Sequence, residues 1–155
     1  MLGLPLHPVV VHFAVVLLTL VPLAALVSLV WPALRVRLGW LLPVGAVAAG
    51  VAGLVAGSSG EDLFESVQVA PQVVRHADLG HLTEKVGVML ALLVVWWWVA
   101  TSPEVAGWAD RRAAWLRSTG MKVGSTVLMA LGAIGALVLV TLTGHAGGVA
   151  VWGGR

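Results

Sequence analysis

The sequence predicts an all-α integral membrane protein that folds as a four-helix bundle. Of its 155 residues, 59% are hydrophobic and only 10% are charged, whereas soluble domains carry about 25% charged residues. The apolar residues fall into runs of about 20, the length that a helix needs to cross a bilayer core about 30 Å thick. The chain therefore holds four spans in a single transmembrane domain, residues 1–155, and leaves no room for a separate soluble catalytic domain.

The hydropathy pattern predicts the four spans at about residues 7–31, 38–58, 79–100 and 121–144. Pro32 ends the first span, and Pro22 inside it is tolerated because membrane helices accommodate proline. The second span is rich in Gly and Ala, and its Gly53 and Gly57 form a GxxxG pattern. This pattern is typical of membrane helices in close contact with a neighbour.

Charge and tryptophan predict the orientation. Six of the nine cations follow the first and third spans: Arg35, Arg37, Arg111, Arg112, Arg117 and Lys122. The positive-inside rule therefore predicts that both termini and the 59–78 loop lie on the extracytoplasmic side of an inner or plasma membrane. An aromatic belt is predicted at the cytoplasmic interface, formed by Trp31, Trp40, Trp96, Trp97, Trp98, Trp108 and Trp115.

The segment 104–117 predicts a short basic amphipathic helix on the inner leaflet, because Trp108 and Trp115 are seven residues apart and share one face. The net charge is only +2, so no nucleic-acid partner is predicted. The absence of cysteine excludes disulfides, thiolate metal sites and thiol catalysis. A transporter is not favoured, because the spans carry no charge at mid-membrane depth that would form an ion path. A hydrolase is not favoured either, because the sequence has no GxSxG motif.

All five histidines are predicted at the extracytoplasmic end: His7, His12, His76, His81 and His145. Each alone has a plain structural explanation, as a helix cap, a solvated residue or a hydrogen bond between helices. Their segregation favours a shared site, because neutral imidazole binds haem iron as well as Zn, Cu or non-haem Fe. The glycines of the closing TGHAGG segment are predicted to leave space beside His145, which a macrocycle, a ligand or a close helix would use.

Four segments resemble the bacterial membrane-protein family filed as domain of unknown function 2231: LHPVVVHF, GEDLFE, VVRHADLG and TGHAGGVAVW. The patterns HPxxxHF and TGHxGG carry most of this resemblance. It implies recurrent polar positions at His7, His12, Glu61, His76 and His145, with Glu65 beside them, and a carboxylate as readily as a histidine at position 81. Proteins similar to this family occur fused to or near redox proteins, which favours a haem or metal role.

The histidines and the family resemblance are compatible with three functions. The first is a b-type haem protein with axial histidines from different helices, His12 and His145 first, that exchanges electrons with a quinone or a periplasmic partner. The second is a non-haem Zn, Cu or Fe protein, with ligands drawn from His7, His12, His76, His145, Glu61 and Glu65. The third is a non-catalytic subunit whose Gly and Ala faces dock in a larger complex or a homodimer. An electron carrier or binding protein is favoured over a stand-alone enzyme.

Overall fold

A computed structural model of the chain describes residues 6–64 and 70–153, and this part is helical without a strand. Four helices are long: α1 (Leu6–Val30), α3 (Leu41–Phe64), α4 (Pro71–Thr101) and α6 (Thr119–Trp152). The short elements are α2 (Pro32–Leu38), α5 (Ala106–Arg112) and a 3₁₀ helix (Ala114–Arg117). Each long helix is long and apolar enough to cross a membrane, which confirms the predicted fold class. The side of the membrane that each terminus faces stays a prediction.

Helices α3, α4 and α6 extend at the histidine-bearing end of the bundle past the apolar runs that predicted them, whereas α1 keeps nearly its predicted bounds. Helix α4 begins at Pro71, because proline at the first helical position supplies the helical φ angle and its missing N–H would have no partner there. Helix α6 continues through the glycines of TGHAGG to Trp152. In a membrane the backbone keeps its internal hydrogen bonds, since no water replaces them, and glycine is therefore tolerated within the helix.

The helices form a ring in which α1 and α4 each pack against both α3 and α6, so that α1 and α4 lie diagonally opposite. Because consecutive long helices run in opposite directions, the starts of α1 and α4 meet the ends of α3 and α6. We call this the histidine end, since it carries His7, His76, His81 and His145. The opposite end, with α2, α5 and the 3₁₀ helix, is the basic end.

Small residues bring the helices close together in the core. A Cβ atom added to Gly87 of α4 would lie 2.8 Å from Cδ2 of Leu18, and one added to Gly132 of α6 would lie 2.9 Å from Cδ1 of Leu93. Leucine side chains therefore occupy the space where glycine has no Cβ atom, and small residues allow this kind of close helix packing in membrane proteins. On α3, a Cβ atom added to Gly50 would lie 3.5 Å from the Cα atom of Val88 of α4, which agrees with the close packing predicted for the second span.

The outer faces of the bundle are apolar. Only 33% of the most apolar window in each long helix is buried, and large side chains such as Phe13 (67% exposed) and Leu92 (68% exposed) point away from the core. Water would hydrate such a surface at a high cost in free energy. The bilayer is therefore the environment in which this surface is stable.

The basic end differs from the sequence prediction in two respects. Trp97, predicted for the interfacial belt, is only 1% exposed, and its Nε1–H donates to Thr126 Oγ1 of α6 at 3.1 Å. The segment 104–117 forms two short helices that break at Ala113 instead of one. The exposed tryptophans Trp108 and Trp115 fit the predicted belt.

Candidate functional site

His7, at the start of α1, contacts the end of α3. Its Nδ1 lies 3.1 Å from Ser59 Oγ. The Ser59 hydroxyl already donates its proton to the Ala56 carbonyl at 3.0 Å, so it accepts from His7, and Nδ1 carries the ring proton. The ring rests on Gly60, where an added Cβ would lie 3.0 Å from Cε1. His7 is thus held with Nε2 as the nitrogen that bears a lone pair.

His76, in the first turns of α4, makes the corresponding contact with the end of α6. Its Nδ1 donates to the Thr143 carbonyl at 3.0 Å, because a carbonyl oxygen can only accept. The ring rests on Gly147, where an added Cβ would lie 3.0 Å from Cε1. A hydrogen bond of 2.7 Å between the hydroxyls of Thr83 and Thr143 ties the two helices together at this level. His76 therefore also presents Nε2 as an acceptor.

The two imidazoles form a matched pair on diagonally opposite helices. Within residues 6–64 and 70–153, neither Nε2 takes part in a hydrogen bond. Burial lowers the pKa of His7, the backbone of Ala56 opposes this shift, and positive charge on His76 lowers the pKa further. An imidazole whose Nδ1–H is held by an oxygen and whose Nε2 is free has the arrangement of a metal-ligating histidine.

The lowered pKa of His7 predicts a pH dependence of the cofactor-free protein. Because its folded-state pKa lies below the ordinary value of 6.5, the unfolded chain binds the proton more readily. Stability is therefore full above about pH 6.5 and falls as the pH drops through the folded-state pKa. Thermal unfolding between pH 8 and 5 should show this loss, and His7→Gln should reduce it.

The electrostatic influence of His76 on His7 can be measured directly. His76→Gln removes the charge that lowers the pKa of His7, so that pKa should rise in a nuclear magnetic resonance titration of the histidine rings. His145→Gln serves as the control, because its side chain is exposed. An unchanged pKa of His7 in His76→Gln would show that the two rings do not interact.

His81 lies on a different face of α4 and contacts α3. Its Nε2 is 3.8 Å from Oε1 of Glu61, an ion pair when His81 is protonated. One turn further along α4, the Glu84 carboxylate packs against Gly57 of α3. Two open grooves lie here: one is lined by Asp78, His81, Leu82 and Lys85, and the other by Leu54, Val55, Ser58, Glu61 and Glu84.

The other predicted ligands are placed differently. His12 and His145, the first haem pair suggested by the sequence, are both exposed, and Glu65 lies outside the described residues. Among the residues that are described, no three His, Asp or Glu side chains are arranged to hold a metal ion. The structure thus holds His7 against the end of α3 and His76 against the end of α6, and it pairs His81 with Glu61. The ligand roles themselves stay predictions.

Sequence reasoning missed the groups that hold the two rings. No sequence pattern marks Ser59 or the Thr143 carbonyl as a hydrogen-bond acceptor for histidine, because serine is common and a carbonyl belongs to every residue. The glycines of the TGHAGG segment did provide a signal, since they predicted space beside His145. In the structure that space, at Gly147, is taken by His76 of the neighbouring helix.

Comparisons with known proteins bear on the whole chain. A family model described as "Predicted membrane protein (DUF2231)" matches residues 3–155, in agreement with the family that the sequence resembles. No curated protein and no solved structure matches the chain.

Proposed function

We propose that this chain, which belongs to the DUF2231 family of predicted membrane proteins, binds a b-type haem at the histidine end of its bundle, with His7 and His76 as the axial ligands. The observation that carries the proposal is the shared arrangement of the two rings. Each Nδ1–H is held by an oxygen of the neighbouring helix, and each Nε2 keeps its lone pair.

The number of available ligands favours haem over a bare metal ion. Haem iron takes four nitrogens from the porphyrin and needs only two axial ligands from the protein. A zinc site takes three or four protein ligands, and no such group is formed by residues 6–64 and 70–153. A bare Zn, Cu or Fe ion would need a further ligand, for which the sequence prediction offers His12, His145, Glu61 and Glu65.

Bound haem would supply one-electron redox chemistry, while the protein positions the ligands and sets their basicity. Ser59 and Thr143 fix the ring orientations through Nδ1, which makes Nε2 a stronger donor to iron. Because this site lies at one end of the membrane spans, an electron partner would approach at the membrane surface. We expect a membrane quinone or quinol, or a redox protein on the side that this end faces, which the charge pattern predicts to be extracytoplasmic.

The absorbance spectrum of detergent-purified protein, produced with and without added haem precursor, tests the proposal. Haem binding predicts a Soret band and about one haem per chain. Stoichiometric Zn, Cu or non-haem Fe in a protein without a Soret band would instead support the bare-metal alternative. A properly folded protein with neither haem nor a stoichiometric metal would contradict both proposals and would favour the third predicted function, a non-catalytic subunit of a larger complex.

A further inference from the structure

Four cations at the basic end have no acidic partner. Arg37, Arg111, Arg112 and Lys122 are exposed, and in the part of the chain that the structure describes none of them forms an ion pair. They follow α1 and α4 in the chain, at the boundary of the membrane spans.

The two carboxylates at this end are already engaged with other arginines. Asp110 pairs with Arg117 at 3.2 Å, and Arg117 also donates to the carbonyls of Val99 and Ser102 at 2.9 and 2.8 Å. Glu104 accepts from the Ser102 hydroxyl and interacts electrostatically with Arg35, whose guanidinium lies 4.7 Å from the ring centroid of Trp97. The four exposed cations thus lack counter-charges from the protein.

Helix α5, which carries Arg111 and Arg112, packs against the bundle on one side and exposes a tryptophan on the other. Ala109 is completely buried against the bundle, whereas Trp108 and Trp115 are 54% and 62% exposed. Exposed tryptophans at the end of a span lie at the level of the lipid headgroups. Arg111 and Arg112, in the last turn of α5, would therefore lie close to the headgroup phosphates of a surrounding bilayer.

We propose that this basic surface, formed by Arg37, Arg111, Arg112 and Lys122, binds the headgroups of anionic phospholipids in the adjacent leaflet. Guanidinium groups hydrogen-bond to phosphate oxygens in a planar, two-pronged geometry. Each cation near an anionic surface strengthens binding by about fivefold, and salt weakens the attraction. The tryptophans indicate the level of the lipid headgroups, and the cations favour a lipid whose headgroup carries a net negative charge.

Native mass spectrometry of the intact detergent-purified protein with added phosphatidylglycerol tests this proposal. Arg111→Gln/Arg112→Gln should weaken binding by about tenfold or more, while Arg111→Lys/Arg112→Lys should stay within a few-fold of wild type. Arg75→Gln is the matched control, because Arg75 is an exposed arginine near the histidine end of α4, and it should bind as wild type does.

Gel filtration and circular dichroism establish that each variant is folded. If the glutamine variant does not fold, the binding of phosphatidylglycerol by the wild type at rising salt tests the role of charge, because salt should weaken it. Undiminished binding of phosphatidylglycerol by a folded Gln variant would overturn the proposal. So would equally tight binding of zwitterionic phosphatidylethanolamine by the wild type, or a requirement for these arginines only in binding an acidic protein.

Discussion

His76→Gly is expected to lose its bound haem, with a fall in the haem-to-protein ratio of more than about tenfold. The reason is that the variant removes one of the two proposed protein ligands of the haem, and even the loss of an outer partner of a ligand weakens metal binding by about 10- to 100-fold. His7→Gly should behave in the same way. The absorbance of the Soret band relative to protein concentration measures the effect.

Added imidazole distinguishes a ligand role of His76 from a merely structural one, because only the loss of a ligand would be restored by free imidazole. The glycine variant leaves a space beside Gly147, and free imidazole can occupy it and restore the Soret band. His12→Gly and His145→Gly are the matched controls, since both side chains are exposed, and they should keep their haem. Loss of haem in these controls with retention in His7→Gly and His76→Gly would assign the axial pair to His12 and His145 instead.

Trp97→Ala is expected to cause the largest loss of stability. Trp97 is 1% exposed, donates to Thr126 and lies beneath the Arg35 guanidinium, so truncation leaves a large cavity where α4, α6 and α2 meet. Loss of a buried Trp side chain costs about 3–5 kcal/mol. Thermal unfolding in detergent, followed by circular dichroism, should show a markedly lower midpoint.

Two further variants separate the contributions of Trp97. Trp97→Phe keeps much of the packing and removes the hydrogen bond to Thr126, which is worth about 0.6 kcal/mol in a membrane bundle, so its stability should fall between wild type and Trp97→Ala. Trp108→Ala is the control, because that ring is 54% exposed, and it should change stability by no more than about 0.5 kcal/mol. Equal losses in Trp97→Ala and Trp108→Ala would contradict the core position of Trp97.

The bilayer makes the spans predictable from the sequence, because only long apolar helices satisfy their backbone hydrogen bonds there. Hydropathy does not find where such helices end. The first turns of α4, Pro71 to Asp78, are polar enough to be solvated, yet they remain helical. The end of α6 is equally hard to predict from the sequence. Glycine indicates a loop in a soluble protein, whereas a membrane helix accommodates it.

The choice among the histidines depends on rotation about each helix, which the sequence leaves open. His7 and His12 are five residues apart and therefore differ by about 140° around α1, so they cannot both face the interior. The same spacing separates His76 from His81, and the structure directs His76 toward α6 and His81 toward α3. Sequence could place all five at one end, but only packing against Ser59 and Thr143 selects the inward pair.

His7 and His76 are proposed to hold one metal centre together. The most direct test of this proposal is the content of iron, copper and zinc per chain, measured in parallel for the wild type and for His7→Ala/His76→Ala after confirmation that both are folded. We expect about one metal, iron, per wild-type chain and a background level in the double variant. Equal metal content in the two proteins would contradict the proposal.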